Sequence, residues 1–175
     1  MKKTKNGLNK MEKVLIGKRA KQVLDIISYD PTQDTYVDAV ELANLFGFEV
    51  YESSDLLATD DGSISVSKNG TEKTILVNEN RSVAFKRFVI THELAHYLLH
   101  YKEDGSLFKH REHIKGKGAE ENDADYFAAC ILMPKDSFVR EYKALKKNST
   151  NIILDLFNKF FTPIESIERR IQEIC

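Results

Sequence analysis

Five consecutive residues, His92-Glu93-Leu94-Ala95-His96, hold the densest store of chemistry in this 175-residue chain. Two histidines four residues apart on a helix project about 40° apart around its axis, so both imidazoles can reach one ion. The pattern is H-E-x-x-H, in which the glutamate serves as base beside a metal held by the histidines. Glu93 would project next to the pair, placed to hold and deprotonate a water. Zinc suits the task because it accepts tetrahedral nitrogen and oxygen ligation, lowers the pKa of a bound water to about 7 and polarises a carbonyl. A histidine on an apolar helix face is more often a core residue with a satisfied hydrogen bond. Here the pattern lies in a helical segment, faces inward, and is followed by a second helix carrying carboxylates.

A catalytic zinc needs a third protein ligand and an open position. The second helix offers Glu120, Glu121, Asp123 and Asp125. Asp123 falls away from the apolar face, while Glu120 and Glu121 flank it about equally, so helical geometry leaves both in play. Asp125 tilts the choice slightly towards Glu121: it lies four residues on, where its carboxylate can reach the other ring nitrogen of a ligand histidine and fix its tautomer. The plain alternative for either glutamate is a solvated acid in a helix's first turn, where negative charge is favoured anyway.

The elements that must position these groups follow from periodicity. Leu8, Met11, Leu15, Val23, Leu24 and Ile27 form a helical stripe from about Leu8 to Ile27. A short second helix opens at Asp38, with Glu41 closing a capping box, and stops at Gly47. Phe48 to Tyr51 reads as a strand, and Ser63 to Ser67 and Lys73 to Val77 as a hairpin around Asn69-Gly70. The zinc-bearing helix runs from Ser82 to about His100. Tyr101 to Ala119 is a long irregular stretch, followed by a helix from Glu120 to Leu132 that buries Ala124, Phe127, Ala128 and Ile131. Asp136 caps a further helix to Leu145. Two final helices, Asn151 to Phe160 and Thr162 to Ile174, meet where Thr162 caps and Glu165 closes the box. The expected fold is α+β and zincin-like: a single domain over residues 1–175, with a small antiparallel sheet packed against the zinc-bearing helix and residues 150–175 a helix pair packed on the rest.

In its spaced motifs the chain resembles the ImmA/IrrE family of metallo-endopeptidases. The resemblance rests on His92 through His100, on Glu121-Asn122-Asp123-Ala124-Asp125-Tyr126-Phe127-Ala128 and on Ile131-Leu132-Met133-Pro134. It extends upstream to Val37-Asp38 through Gly47, Ile75-Leu76-Val77-Asn78 and Arg87-Phe88. It implies His92, His96 and Glu121 as ligands of one zinc ion, Glu93 as general base, and a regulatory role in which a helix-turn-helix repressor is cleaved. Asp125 stands where the family often has Asn, and Ala95 where Gly is common; neither disables the site. The competing reading is a zinc-containing module that sequesters a partner without cutting it. Glu93 argues against that, because a structural zinc site is closed by four protein ligands and needs no adjacent base.

Other histidines have simpler readings. His100 extends the same stripe and reads as a packed or capping residue near a helix C-terminus. His110 and His113, with Tyr101 and Tyr126, are open candidates to face a developing oxyanion. Lys109, Arg111, Lys115 and Lys117 read as solvated. The C-terminal helices have helix-turn-helix spacing, but Glu165, Glu168 and Glu173 offset Arg169 and Arg170, which is poor electrostatics for DNA. Packing or protein docking is the expected role.

Composition narrows the class. The 26 Lys and Arg nearly balance 27 Asp and Glu, so no global field favours nucleic acid or an anionic membrane. Two cysteines make neither a disulfide framework nor a Cys-rich metal site. No apolar run suits a signal peptide or a membrane span. A cytoplasmic protein with a protein substrate is the expectation.

Overall fold

The computed structural model describes residues 8–56, 60–67, 69–101 and 118–175; Lys109, His110, Arg111, His113, Lys115 and Lys117 lie outside them. The described elements run α1 (Lys10–Ile26), α2 (Ala39–Leu45), β1 (Glu49–Ser53), β2 (Gly62–Val66), β3 (Lys73–Asn78), α3 (Val83–His100), α4 (Ala119–Leu132), α5 (Lys135–Leu145), α6 (Ile152–Phe160) and α7 (Ile164–Ile174).

Local chemistry sets most of these boundaries. Asn9 accepts from the backbone N–H groups of Met11 and Glu12, and the Glu12 carboxylate accepts from the Asn9 N–H, a reciprocal cap that fixes the start of α1. The apolar stripe alone does not mark it, and two of its members, Met11 and Leu15, are exposed; the core-facing row is Ile16, Ala20, Val23 and Leu24. Asp38 caps α2 by accepting from Val40 and Glu41 N–H. Gly47 follows at φ +83°, a left-handed conformation open to a residue without Cβ.

The sheet is mixed, with strand order β1-β3-β2. β2 and β3 pair antiparallel around the expected turn, Ile64 opposite Ile75. β1 joins the other edge of β3 in parallel, Val50 opposite Ile75, so the sheet is not wholly antiparallel. Alternation within a short strand tells which face a side chain takes but not the direction of its neighbour. β3 is therefore the central strand, and it buries Ile75 and Val77.

One face of the sheet packs on α3. At Gly62 in β2, a Cβ would stand 2.4 Å from Val89 Cγ1 and 3.7 Å from Glu93 Cγ, so strand and helix meet at the turn that carries the H-E-x-x-H residues. Another side of α3 packs on α4, which also packs on α1. One core joins α1 to α4 and the sheet, including Leu42, Phe48, Ile75, Leu94, Phe127 and Ile131. A second core of Met133, Phe138, Leu156, Phe160 and Ile167 is built by the segment from α5 to α7 with the end of α4.

Two expected caps are replaced. Thr162 is buried with no partner for its hydroxyl among the described residues, and α7 starts after Pro163 without a side-chain cap. α5 starts after Pro134, with Asp136 inside its first turn rather than at the cap. Proline's fixed φ presets the entry into a helix in both places. Among the described residues no helix is long and apolar enough to cross a membrane.

Candidate metal centre

The site is built from α3 and α4. Ser82 opens α3 by accepting from the Phe85 N–H, and the helix then runs without a break to His100. Val89, Ile90, Leu94 and Ala95 bury its sides, which fixes the rotation of the helix. On that rotation His96 is buried and His92 half-buried, side by side with ring centroids 4.7 Å apart. α4 buries Ala124, Phe127, Ala128 and Ile131, and this sets Glu121 and Asp125 towards α3.

The ligand atoms converge. His92 Nε2 lies 3.1 Å from His96 Nε2 and 3.2 Å from Glu121 Oε2, and His96 Nε2 lies 3.4 Å from Glu121 Oε1. An ion bonding tetrahedrally at about 2.0 Å holds its ligand atoms about 3.3 Å apart, so the three side chains already stand at the spacing such an ion demands. Two imidazole nitrogens and one carboxylate also form the donor set of a catalytic metal site with an open fourth position. His92, His96 and Glu121 can therefore hold a metal ion. Glu120, which helical geometry left as an alternative to Glu121, is exposed and stands outside the cluster.

Asp125 Oδ1 lies 3.0 Å from His92 Nδ1, where it can orient that ring, and its Oδ2 lies 3.8 Å from Arg169 of α7. Glu93 is half-buried on α3, facing β2 at Gly62. Tyr126 packs towards Lys13 and Arg170. Helical reading puts Asp123 away from the site and His100 in a capping role. The structure instead pairs them, His100 Nε2 at 3.3 Å from Asp123 Oδ2, and sets His100 Nδ1 3.3 Å from His96 Nδ1. The signal was present in the third histidine at four-residue spacing.

The electrostatics are those of a cation site. Burial disfavours a charged His92, but hydrogen bonds to Asp125 and Glu121 and the nearby charges of Glu93 and Asp125 outweigh it and raise its pKa to about 9. Hydrogen bonds from His92 and then His96 hold the Glu121 carboxyl far below the usual carboxylate range.

No curated protein matches the chain. A solved structure of a Mycobacterium tuberculosis transcriptional regulator has a similar fold, with a TM-score of 0.55 and 17% identity; the match covers 94% of this chain and 47% of that one, so the chain spans about half that protein's length. The family model described as the IrrE N-terminal-like domain, a peptidase family, matches residues 32–172, a span that takes in the sheet, α3, α4 and the C-terminal helices. With that match over most of its length, the chain belongs to the IrrE N-terminal-like peptidase family.

Proposed function

We propose that the chain is a zinc-dependent endopeptidase of limited specificity that cleaves a helix-turn-helix transcriptional repressor and so relieves repression. The observation that carries the reading is the convergence of His92 Nε2, His96 Nε2 and the Glu121 carboxylate at ion-ligand spacing, with Glu93 on the next position of the same helix. His92, His96 and Glu121 would hold one zinc ion per chain, which when bound supplies a Lewis acid for the scissile carbonyl and a more acidic water. Glu93 takes the proton as the water oxygen bonds to the carbonyl carbon, and returns it to the amine nitrogen as the C–N bond breaks. Asp125 accepts a hydrogen bond from the His92 Nδ1–H and so keeps Nε2 free for the ion.

The resemblance to ImmA/IrrE proteins supports a repressor as the substrate. A peptidase cleft admits an extended chain, so the cut falls in a linker or a locally unfolded segment. Residues 1–175 would act as one domain, in the cytoplasm and without contacting nucleic acid, with the C-terminal helices available for docking. The test is incubation of zinc-loaded protein with the repressor encoded beside it, and product mapping by mass spectrometry. Cleavage at one or a few bonds is expected. Glu93→Gln should keep its zinc and lose at least roughly 100-fold in rate, because the amide cannot accept a proton. Binding of the repressor with no Glu93-dependent cut would overturn the proposal.

A further inference from the structure

We infer that His100 and Asp123 are positioning residues that fix the orientation and tautomer of His96 through a two-link hydrogen-bond chain. The inference rests on His96 serving as a metal ligand through Nε2. A neutral imidazole that gives one nitrogen to an ion must carry its proton on the other, so His96 donates from Nδ1. The Nδ1 of His100 lies 3.3 Å away and must then be the acceptor. An imidazole accepting at Nδ1 carries its own proton on Nε2, and that atom lies 3.3 Å from Asp123 Oδ2. Every donor and acceptor falls into one direction, running from the ion site to a carboxylate. The chain is sheltered: the side chains of His96, His100 and Asp123 are 4%, 12% and 27% exposed. The two ligand histidines are thus supported differently, His92 by Asp125 directly and His96 by Asp123 through an intervening ring.

A basic residue in the last turn of a helix is favoured by the helix dipole without any further purpose. That account explains the position of His100 but not the aim of its Nδ1 at His96, and the two accounts separate on substitution. His100→Lys places a basic residue at the helix end and removes the acceptor. His100→Asn keeps a polar atom near the Nδ1 position but cannot span to Asp123.

The test measures zinc dissociation constants by competition with a chromophoric chelator, alongside the visible spectrum of the cobalt-substituted protein. His100→Lys should weaken zinc binding by roughly 10- to 100-fold, the size expected on losing a group that orients a metal-bound histidine. The isosteric Asp123→Asn should weaken it in the otherwise native chain and add nothing in the His100→Asn chain, because the carboxylate acts only through the ring. The cobalt spectrum should shift in His100→Lys and keep its native form in a Lys21→Ala control far from the site. Zinc affinity of His100→Lys within about two-fold of native, or an Asp123→Asn cost independent of residue 100, overturns the inference. If His100→Lys fails to fold, the Asp123→Asn pair of measurements decides alone. A native chain that takes up no zinc defeats the metal-site reading and this inference together; zinc uptake without peptide cleavage defeats only the peptidase reading.

Discussion

Gly62 should be the least replaceable residue of the sheet, and the reason is distance rather than backbone conformation. Its φ lies outside the left-handed region, so alanine meets no torsional penalty there. An added Cβ would instead stand 2.4 Å from Val89 Cγ1 and 2.8 Å from the Leu76 carbonyl oxygen. Neither neighbour yields easily: Val89 is β-branched, helical and buried, and Leu76 belongs to the backbone of the central strand. Forcing a methyl into a packed interior costs roughly 1–3 kcal/mol, and two clashes put this site near the top of that range. Restricting the unfolded chain returns only about 0.4–1 kcal/mol, which leaves Gly62→Ala less stable by about 2 kcal/mol. For a chain of this size that lowers Tm by about 4–8 °C. Urea unfolding of metal-free protein should give a lower midpoint with an unchanged slope. Val89→Ala removes one of the clashing atoms, so the double variant should cost less than the sum of the single ones by about 1 kcal/mol. A Gly62→Ala protein as stable as the native chain, or strictly additive costs, would refute the close approach of β2 to α3.

Four further outcomes are expected. Glu121→Ala should weaken zinc binding strongly while Glu120→Ala should not, measured by equilibrium dialysis; the reverse would overturn the third ligand. Metal uptake at pH 7.5 should release close to one proton from His92, whose pKa of about 9 in the metal-free site keeps it charged until an ion displaces the proton. Calorimetry in buffers of differing ionisation enthalpy reads that release, which should fade as pH rises past about 9. Because the folded pKa lies above the ordinary 6.5, the linked stability of the metal-free protein is fully present below 6.5 and is lost as pH rises through about 9, so its Tm should decline over that window. Finally, Arg87 donates to the carbonyls of Val37, Phe160 and Phe161, and Arg87→Lys should lower stability by roughly 3 kcal/mol by urea titration, since one ammonium cannot replace a guanidinium fork on three carbonyls; native-like stability would refute that role.

What the sequence made legible was the local part of the site. The four-residue histidine spacing and the apolar row of α4 place His92, His96, Glu121 and Asp125 from helical geometry and family resemblance, and the structure brings those four together. The pairing of His100 with Asp123 was not legible because it depends on where the last turn of α3 lies against α4. The pattern of α4 alone sets Asp123 off its apolar face and says nothing about what stands there. The Asn69-Gly70 turn foretold the antiparallel pair because that information is local. The parallel pairing of β1 with β3 joins residues with the whole of β2 between them in the chain, and no short-range signal records it. Thr162 failed as a cap because burial of the α6–α7 junction outweighed its local preference.

Two buried arginines tie the C-terminal helices to the helices that carry the candidate metal ligands. Arg87, on α3 five residues before His92, donates to the carbonyls of Phe160 and Phe161 at the end of α6 and to Val37 ahead of α2. Arg170 of α7 donates to the Met133 carbonyl at the end of α4 and pairs with Glu173, which also meets Lys13 of α1. In each case a cation occupies the negative end of a helix, where unpaired carbonyls would otherwise be buried without donors. Desolvation lowers the pKa of Arg87, a cost the three carbonyl bonds and the Tyr36 ring 4.1 Å away offset. Arg170 and Glu173 are thereby withdrawn from the surface, and the charged residues that α7 still exposes are Glu165, Glu168 and Arg169. Two acids against one base make a poor match for a phosphate backbone. The C-terminal pair is thus held by Arg87 to the helix that carries the histidines and by Arg170 to the helix that carries Glu121, and so braces both walls of the candidate metal site.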